Sequence, residues 1–127
     1  MIRSLCLAAL LAAFSPALLA AQEEGEEFCP EGRTQLDYNI CAADEAAEAD
    51  SLLNDRYQQV LRKVGEDRVE LLRAAQRAWI RFRDAECTFQ ASEMSGGSGE
   101  RSLESLCVAH LSRERVEEFD RILAIDR

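Results

Sequence analysis

The sequence predicts an all-α fold, a small antiparallel three-helix hairpin or bundle stapled by two disulfides. Apolar residues recur at steps of three and four through three long segments, the spacing of one helix face. Gly65 and the run Ser95-Gly-Gly-Ser-Gly99 separate those segments, and no stretch alternates as a half-buried strand would. Four cysteines accompany the helical part, an even set that suits cross-linking of a small core. At 127 residues the chain has room for one domain and not for a second.

Residues 1–21 read as a secretory signal peptide. Met1-Ile2-Arg3 supplies the positive start, Leu5 to Phe14 is free of charge, and small residues surround Ala21. The apolar run is shorter than the ~20 residues needed to span a bilayer, so no membrane anchor is expected once the peptide is cleaved. An uncleaved anchor is the rival, because Leu18 or Leu19 stands where a small residue is preferred. No lipidation cysteine follows the run, since Cys6 comes too early and Cys29 sits in Glu-Glu-Phe-Cys. Residues 22–33, rich in Glu and holding Gly25, Pro30 and Gly32, form a flexible acidic lead-in, and residues 34–127 form the helical domain.

Thr34-Gln-Leu-Asp37 has the form of a capping box and opens the first helix. Leu36, Ile40, Ala43, Ala47, Leu53, Tyr57, Val60, Leu61 and Val64 carry its apolar side, with a break expected near Cys41 and a stop at Gly65. Glu66 and Asp67 suit the positive end of a second helix, in which Leu71, Leu72, Ala75, Ala78, Trp79, Phe82 and Phe89 continue the period as core residues. It should end near Ser92. The glycines at 96, 97 and 99 each cost about 1 kcal/mol in a helix, which makes a loop there. The third helix starts near Arg101, with Leu103, Leu106, Leu111, Val116, Phe119, Ile122 and Leu123 on its apolar side.

Cleavage near Ala21 removes Cys6 and leaves Cys29, Cys41, Cys87 and Cys107 in a chain addressed to an oxidising compartment. Four cysteines allow three pairings, and the sequence alone does not choose among them. Helix geometry favours Cys87 with Cys107, which lie level across a hairpin, roughly 8 to 9 Å from the same turn at about 1.5 Å per residue. Cys29 with Cys41 would pin the lead-in onto the first helix. A zinc site is disfavoured, since there is no Cys-x-x-Cys and His110 is the only imidazole. No metal and no cofactor is expected.

The charge excludes one class of partner. With 15 Lys and Arg against 24 Asp and Glu the chain carries −9, so non-specific nucleic-acid binding is not expected. Removing Arg3 with the signal peptide leaves 14 basic against 24 acidic residues, or −10. Catalytic chemistry is poorly supplied. His110 has no nucleophile motif around it, and there is no His-Glu-x-x-His, phosphate-cradling loop or Gly-x-Ser-x-Gly. Glu117 and Glu118 belong to a solvated face, so the chain is not expected to be an enzyme.

Arg73, Arg77 and Arg81 share one face of the second helix. They either pair with acids of neighbouring helices, such as Glu48 and Asp55 or Glu114 and Glu118, or form a contact for an anionic envelope polymer.

Cys29, Thr34, Asn39 and Cys41, then Ala49-Asp50-x-x-Leu53-Asn54-x-x-Tyr57, then Ala75-Gln-Arg-Ala-Trp-Ile-Arg-Phe-Arg-Asp-Ala-Glu-Cys87, then Gly96-Gly-Ser98, Cys107 and Arg115 form a pattern. It resembles the LprI-type lysozyme-inhibitor N-terminal domain family over nearly all of the chain after residue 21. The resemblance implies a small secreted or periplasmic helical protein that binds lysozyme, a basic protein, and protects the cell wall by occluding it. The contact residues expected on that reading are Ser95, Gly96, Gly97, Ser98 and Arg101, in a protruding loop whose amides and hydroxyls can meet cleft carboxylates. Asn54, Trp79, Arg83, Asp84 and Arg115 are expected to form a structural polar cluster that orients the helices. The alternative is a non-catalytic envelope module that binds peptidoglycan or a periplasmic protein through the arginine stripe or helix faces.

Overall fold

The computed structural model describes Cys29 and residues 34–125. The expected signal peptide and most of the expected lead-in lie outside the described residues. Three α-helices account for nearly all of the rest: α1 spans Gln35–Lys63, α2 spans Glu66–Ala91 and α3 spans Glu100–Ala124, with a 3-10 turn at Ser92–Met94. No strand occurs among the described residues, and the fold is all-α.

Local chemistry sets the helix ends. Thr34 caps α1 as a full capping box: the Asp37 amide donates to Thr34 Oγ1 at 3.2 Å, and the Thr34 amide donates to Asp37 Oδ2 at 3.2 Å. α1 then runs unbroken through Cys41, so the expected interruption is absent. The segment 42–49 explains why, because five of its eight residues are alanine and the other three are Asp or Glu, a composition that keeps a helix intact. Gly65 does not close α1 in a left-handed turn. Its φ is −66°, and it serves as the N-cap of α2. Lys63 reaches past the end of α1 and donates to the carbonyls of Leu123 and Ile125 at 2.5 and 2.6 Å, meeting acceptors that α3 leaves open at its C-terminus.

The helices run up, down and up. Gln35 meets Ser102, Arg56 meets Asp120 and Lys63 meets Leu123, so α1 and α3 lie parallel along their whole length. Small residues allow the approach. Ala42, Ala49, Ala109 and Ser112 are all at most 1% exposed, and on α3 the buried positions Ser102, Ala109, Ser112, Val116 and Phe119 fall on a heptad seam. Toward the C-terminal end the seam widens into the main apolar cluster of Leu53, Val60, Val116 and Phe119, flanked by Tyr57, Val64, Leu72, Trp79, Ile122 and Leu123.

α2 packs on α3 and scarcely touches α1. Leu72, Gln76, Trp79, Arg83 and Cys87 form its inner line, and only Leu72 and Trp79 among them reach the apolar cluster. Phe82 and Phe89 are therefore not core residues: they are 56% and 71% exposed, and Leu71 is 70% exposed. Leu71, Ala75, Ala78, Phe82, Ala85 and Phe89 make a second line of the same period, about 120° around the helix at roughly 100° per residue, and all six are exposed. Periodicity alone fits both lines. The helix buries the one that carries the disulfide and Arg83.

Two disulfides hold the arrangement. Cys87–Cys107 joins α2 to α3 with a Cα separation of 5.4 Å, and Cys29–Cys41 ties Cys29 to α1 with a Cα separation of 6.0 Å. Of the three possible pairings this is the one that contains the Cys87–Cys107 bridge favoured by helix geometry. No described helix is long and apolar enough to cross a membrane.

Candidate functional site

The residues between α2 and α3 fold into a closed knuckle at the end of the molecule where α1 and α3 begin. The Ser95 amide donates to Ser92 O at 3.1 Å, the Gly97 amide to Met94 O at 2.8 Å and the Glu100 amide to Gly97 O at 3.3 Å. Gly96 has φ +78°, a left-handed conformation that an L side chain would strain, and its amide donates to Glu100 Oε2 at 3.0 Å. Asn39 of α1 donates to Ser98 O at 3.1 Å and so fastens the knuckle to the first helix. Ser95, Gly96, Gly97, Ser98 and Arg101 are all exposed. Beside them, Leu36 is 67%, Ile40 54% and Met94 46% exposed, so the same end presents large apolar side chains around a polar tip.

A second group forms where all three helices meet. Arg83 is 9% exposed; its Nη1 donates to Asp50 Oδ1 at 2.8 Å and to Ser112 Oγ at 3.1 Å, and its Nε donates to Asp84 Oδ1 at 2.9 Å. Burial alone would lower the pKa of this guanidinium, but the hydrogen bonds and charges of Asp50 and Asp84 outweigh it, and the net shift is upward. Arg83 and Arg115 both lie over the Trp79 ring, at 5.5 and 5.7 Å from its centroid. Arg115 also lies 4.7 Å from the Phe119 ring centroid, takes Gln76 Oε1 as acceptor at 3.2 Å and pairs with Glu118.

Trp79, Arg83, Asp84 and Arg115 thus come together. Asn54, expected in the same cluster, does not join them; it stays exposed on α1, where it lines the open groove facing α2. Sequence reasoning missed Asp50, Gln76 and Ser112, which supply the actual partners. Asp50 stands three residues before Leu53 in the first motif, and Ser112 sits on the α3 seam between Ala109 and Val116, so a polar residue at a core register position was the available signal.

The arginine stripe is differently placed from the cross-helix pairing expected of it. Arg73 pairs within α2, 2.5 Å from Glu70, and neither Arg77 nor Arg81 makes an ion pair among the described residues. Asp55 is taken by Arg56 and Glu118 by Arg115. His110 is exposed with Nε2 3.5 Å from Glu114. Among the described residues no group of three or more His, Cys, Asp or Glu side chains is arranged to hold a metal ion.

The model of the lysozyme inhibitor LprI family matches residues 29–119, which run from the first of the four described cysteines to Phe119 in the core. A protein of Rhizobium meliloti (strain 1021) described as uncharacterized is 34% identical over 117 residues, covering 82% of this chain and 84% of its own length. No solved structure matches. A match that takes in both disulfides, the Arg83 cluster and the knuckle places the chain in the LprI family, described as lysozyme inhibitors.

Proposed function

We propose that this chain acts outside the cytosol as a lysozyme-binding protein, and that it inhibits the enzyme by seating the knuckle of Ser95 to Ser98, with Arg101 beside it, at the cleft. The family match over residues 29–119 carries this reading. Three features support it. The two disulfides suit an oxidising compartment. A net charge of −9 steers the chain toward basic partners, and lysozymes of the animal type are strongly basic. The exposed Leu36, Ile40 and Met94 around a compact polar tip give the apolar anchors that protein interfaces use.

At the cleft, the tip would bring backbone amides and the Ser95 and Ser98 hydroxyls toward carboxylates, with Arg101 as a cation. The test titrates the oxidised chain, beginning at residue 22, into a muramidase assay at low and moderate salt. Stoichiometric loss of lysis that weakens as salt rises is expected, and it should disappear when Gly96 to Ser98 are deleted. Undiminished lysis at every ratio sinks the proposal, and inhibition that survives the deletion removes the knuckle from it.

A further inference from the structure

Because α2 rests on α3 and stands off from α1, the two helices leave an open groove between them at mid-height, with a volume of about 640 Å³. That lies inside the roughly 300–1,000 Å³ range of pockets that take small organic ligands. Leu53 and Ile80 give it an apolar floor, Asn54 and Gln76 place amides in its walls, and Tyr57 adds a ring with a hydroxyl. Arg73 and Arg77 border it on the α2 side. Gln76 is 6% exposed and anchored through its Oε1 to Arg115, so one polar wall is held in place by the core.

The charge balance of the groove is opposite to that of the chain. Its one carboxylate, Asp50, is already bound by the buried Arg83. Arg73 is matched only by Glu70 of its own helix, and Arg77 by no acid among the described residues. A chain of −9 therefore keeps a cationic, amide-lined groove with an aromatic wall. We infer that this groove binds a carboxylated saccharide of about disaccharide size. The amides meet hydroxyl and acetamido groups, which both donate and accept; the Tyr57 ring and Ile80 face the C–H surface of a sugar; Arg77 takes the carboxylate. A bare inorganic anion would leave the apolar floor unused, and a neutral sugar would leave the arginines unused.

The groove is separate from the knuckle. Ala47, its nearest α1 residue to that end, is eight residues beyond Asn39, or roughly 12 Å along the helix at about 1.5 Å per residue. Saccharide binding and lysozyme inhibition can accordingly fail independently.

The experiment adds N-acetylglucosaminyl-N-acetylmuramic acid to the isotope-labelled chain beginning at residue 22 and follows amide shifts, with calorimetry for affinity. N,N′-diacetylchitobiose, of similar size and uncharged, and a dipeptide with a free carboxylate are the comparison ligands. The acidic disaccharide is expected to shift residues 47–57 and 73–80, to bind at least about tenfold more tightly than either comparison ligand, and to weaken at higher salt. Arg77→Gln, an exposed change, should lower the affinity about tenfold and leave lysozyme inhibition as it was, while Arg121→Gln changes neither. No shifts at millimolar disaccharide, equal binding of chitobiose, tighter binding of the dipeptide, or full affinity in Arg77→Gln would each overturn the assignment.

Discussion

Arg83 of α2 reaches Asp50 of α1 at 2.8 Å, bridging two helices that otherwise scarcely meet. The side chains are unequally buried: that of Arg83 is 10% exposed and that of Asp50 is 60% exposed. Loss of the arginine would empty a buried site and leave the buried Ser112 hydroxyl without this partner, whereas loss of Asp50 leaves Arg83 still held by Asp84 and Ser112. Arg83→Ala should cost about 2–4 kcal/mol and Asp50→Asn about 1 kcal/mol, read from urea unfolding. The folded-state pKa of Arg83 is raised, so its contribution is fully present below the unfolded value and fades only as pH rises through the folded one. Both values lie far above neutrality. The Arg83→Ala penalty should therefore be the same at pH 7 and pH 9, and a penalty that halves across that interval would contradict the assignment.

The two disulfides should differ in worth for a reason beyond loop length. In the chain-entropy model their separations of 20 and 12 residues differ by only about 0.5 kcal/mol, each bridge being worth roughly 3 kcal/mol. Cys87–Cys107, however, pins the helix with the thinnest apolar contact to the rest. Replacing Cys87 and Cys107 by serine is expected to lower the urea midpoint clearly more than replacing Cys29 and Cys41, and to expose Trp79, seen as a red shift of its emission. Equal midpoints would mean that α2 is held by its side chains alone.

Much of this architecture was legible from residues in order. Thr34 and Asp37 announced the first helix, the glycines at 96 and 97 announced a loop though not its closed hydrogen bonding, and the register of Cys87 and Cys107 announced their bridge, because each signal acts over a few residues or a simple rise per turn. What failed was the choice among equivalent faces. Phe82 and Trp79 both fit the period of α2, and which one turns inward depends on where α3 lies, a fact held in no local window. The same limit hid the partner of Arg83. Asp50 is 33 residues away, and nothing local to either helix says that it, and not Asn54 four positions on, meets the guanidinium.

Gly96 offers a narrow test of the knuckle. With φ at +78° and open space where a side chain would begin, the penalty for alanine is conformational alone. Gly96→Ala should cost about 1–2 kcal/mol in thermal melts and weaken the inhibition proposed for the knuckle, since the amide that donates to Glu100 would turn away. Ser98→Ala, whose backbone carbonyl still accepts from Asn39, should leave stability unchanged in the same thermal melts.

Two phenylalanines separate the inner from the outer apolar line. Phe119 is fully buried against Leu53, Val60 and Val116, with the Tyr57 ring centroid 6.1 Å away and the Arg115 guanidinium over its face. Removing it opens a cavity beneath a cation, and Phe119→Ala should cost about 3–5 kcal/mol. Phe82 is 56% exposed and lies outside that cluster, so Phe82→Ser gives up little buried area and should stay within about 1 kcal/mol of the parent. If urea unfolding instead shows the two losses to be similar, the outer line of α2 is covered by something in solution, and the melting midpoint of the parent chain should then rise with protein concentration while that of Phe82→Ser does not.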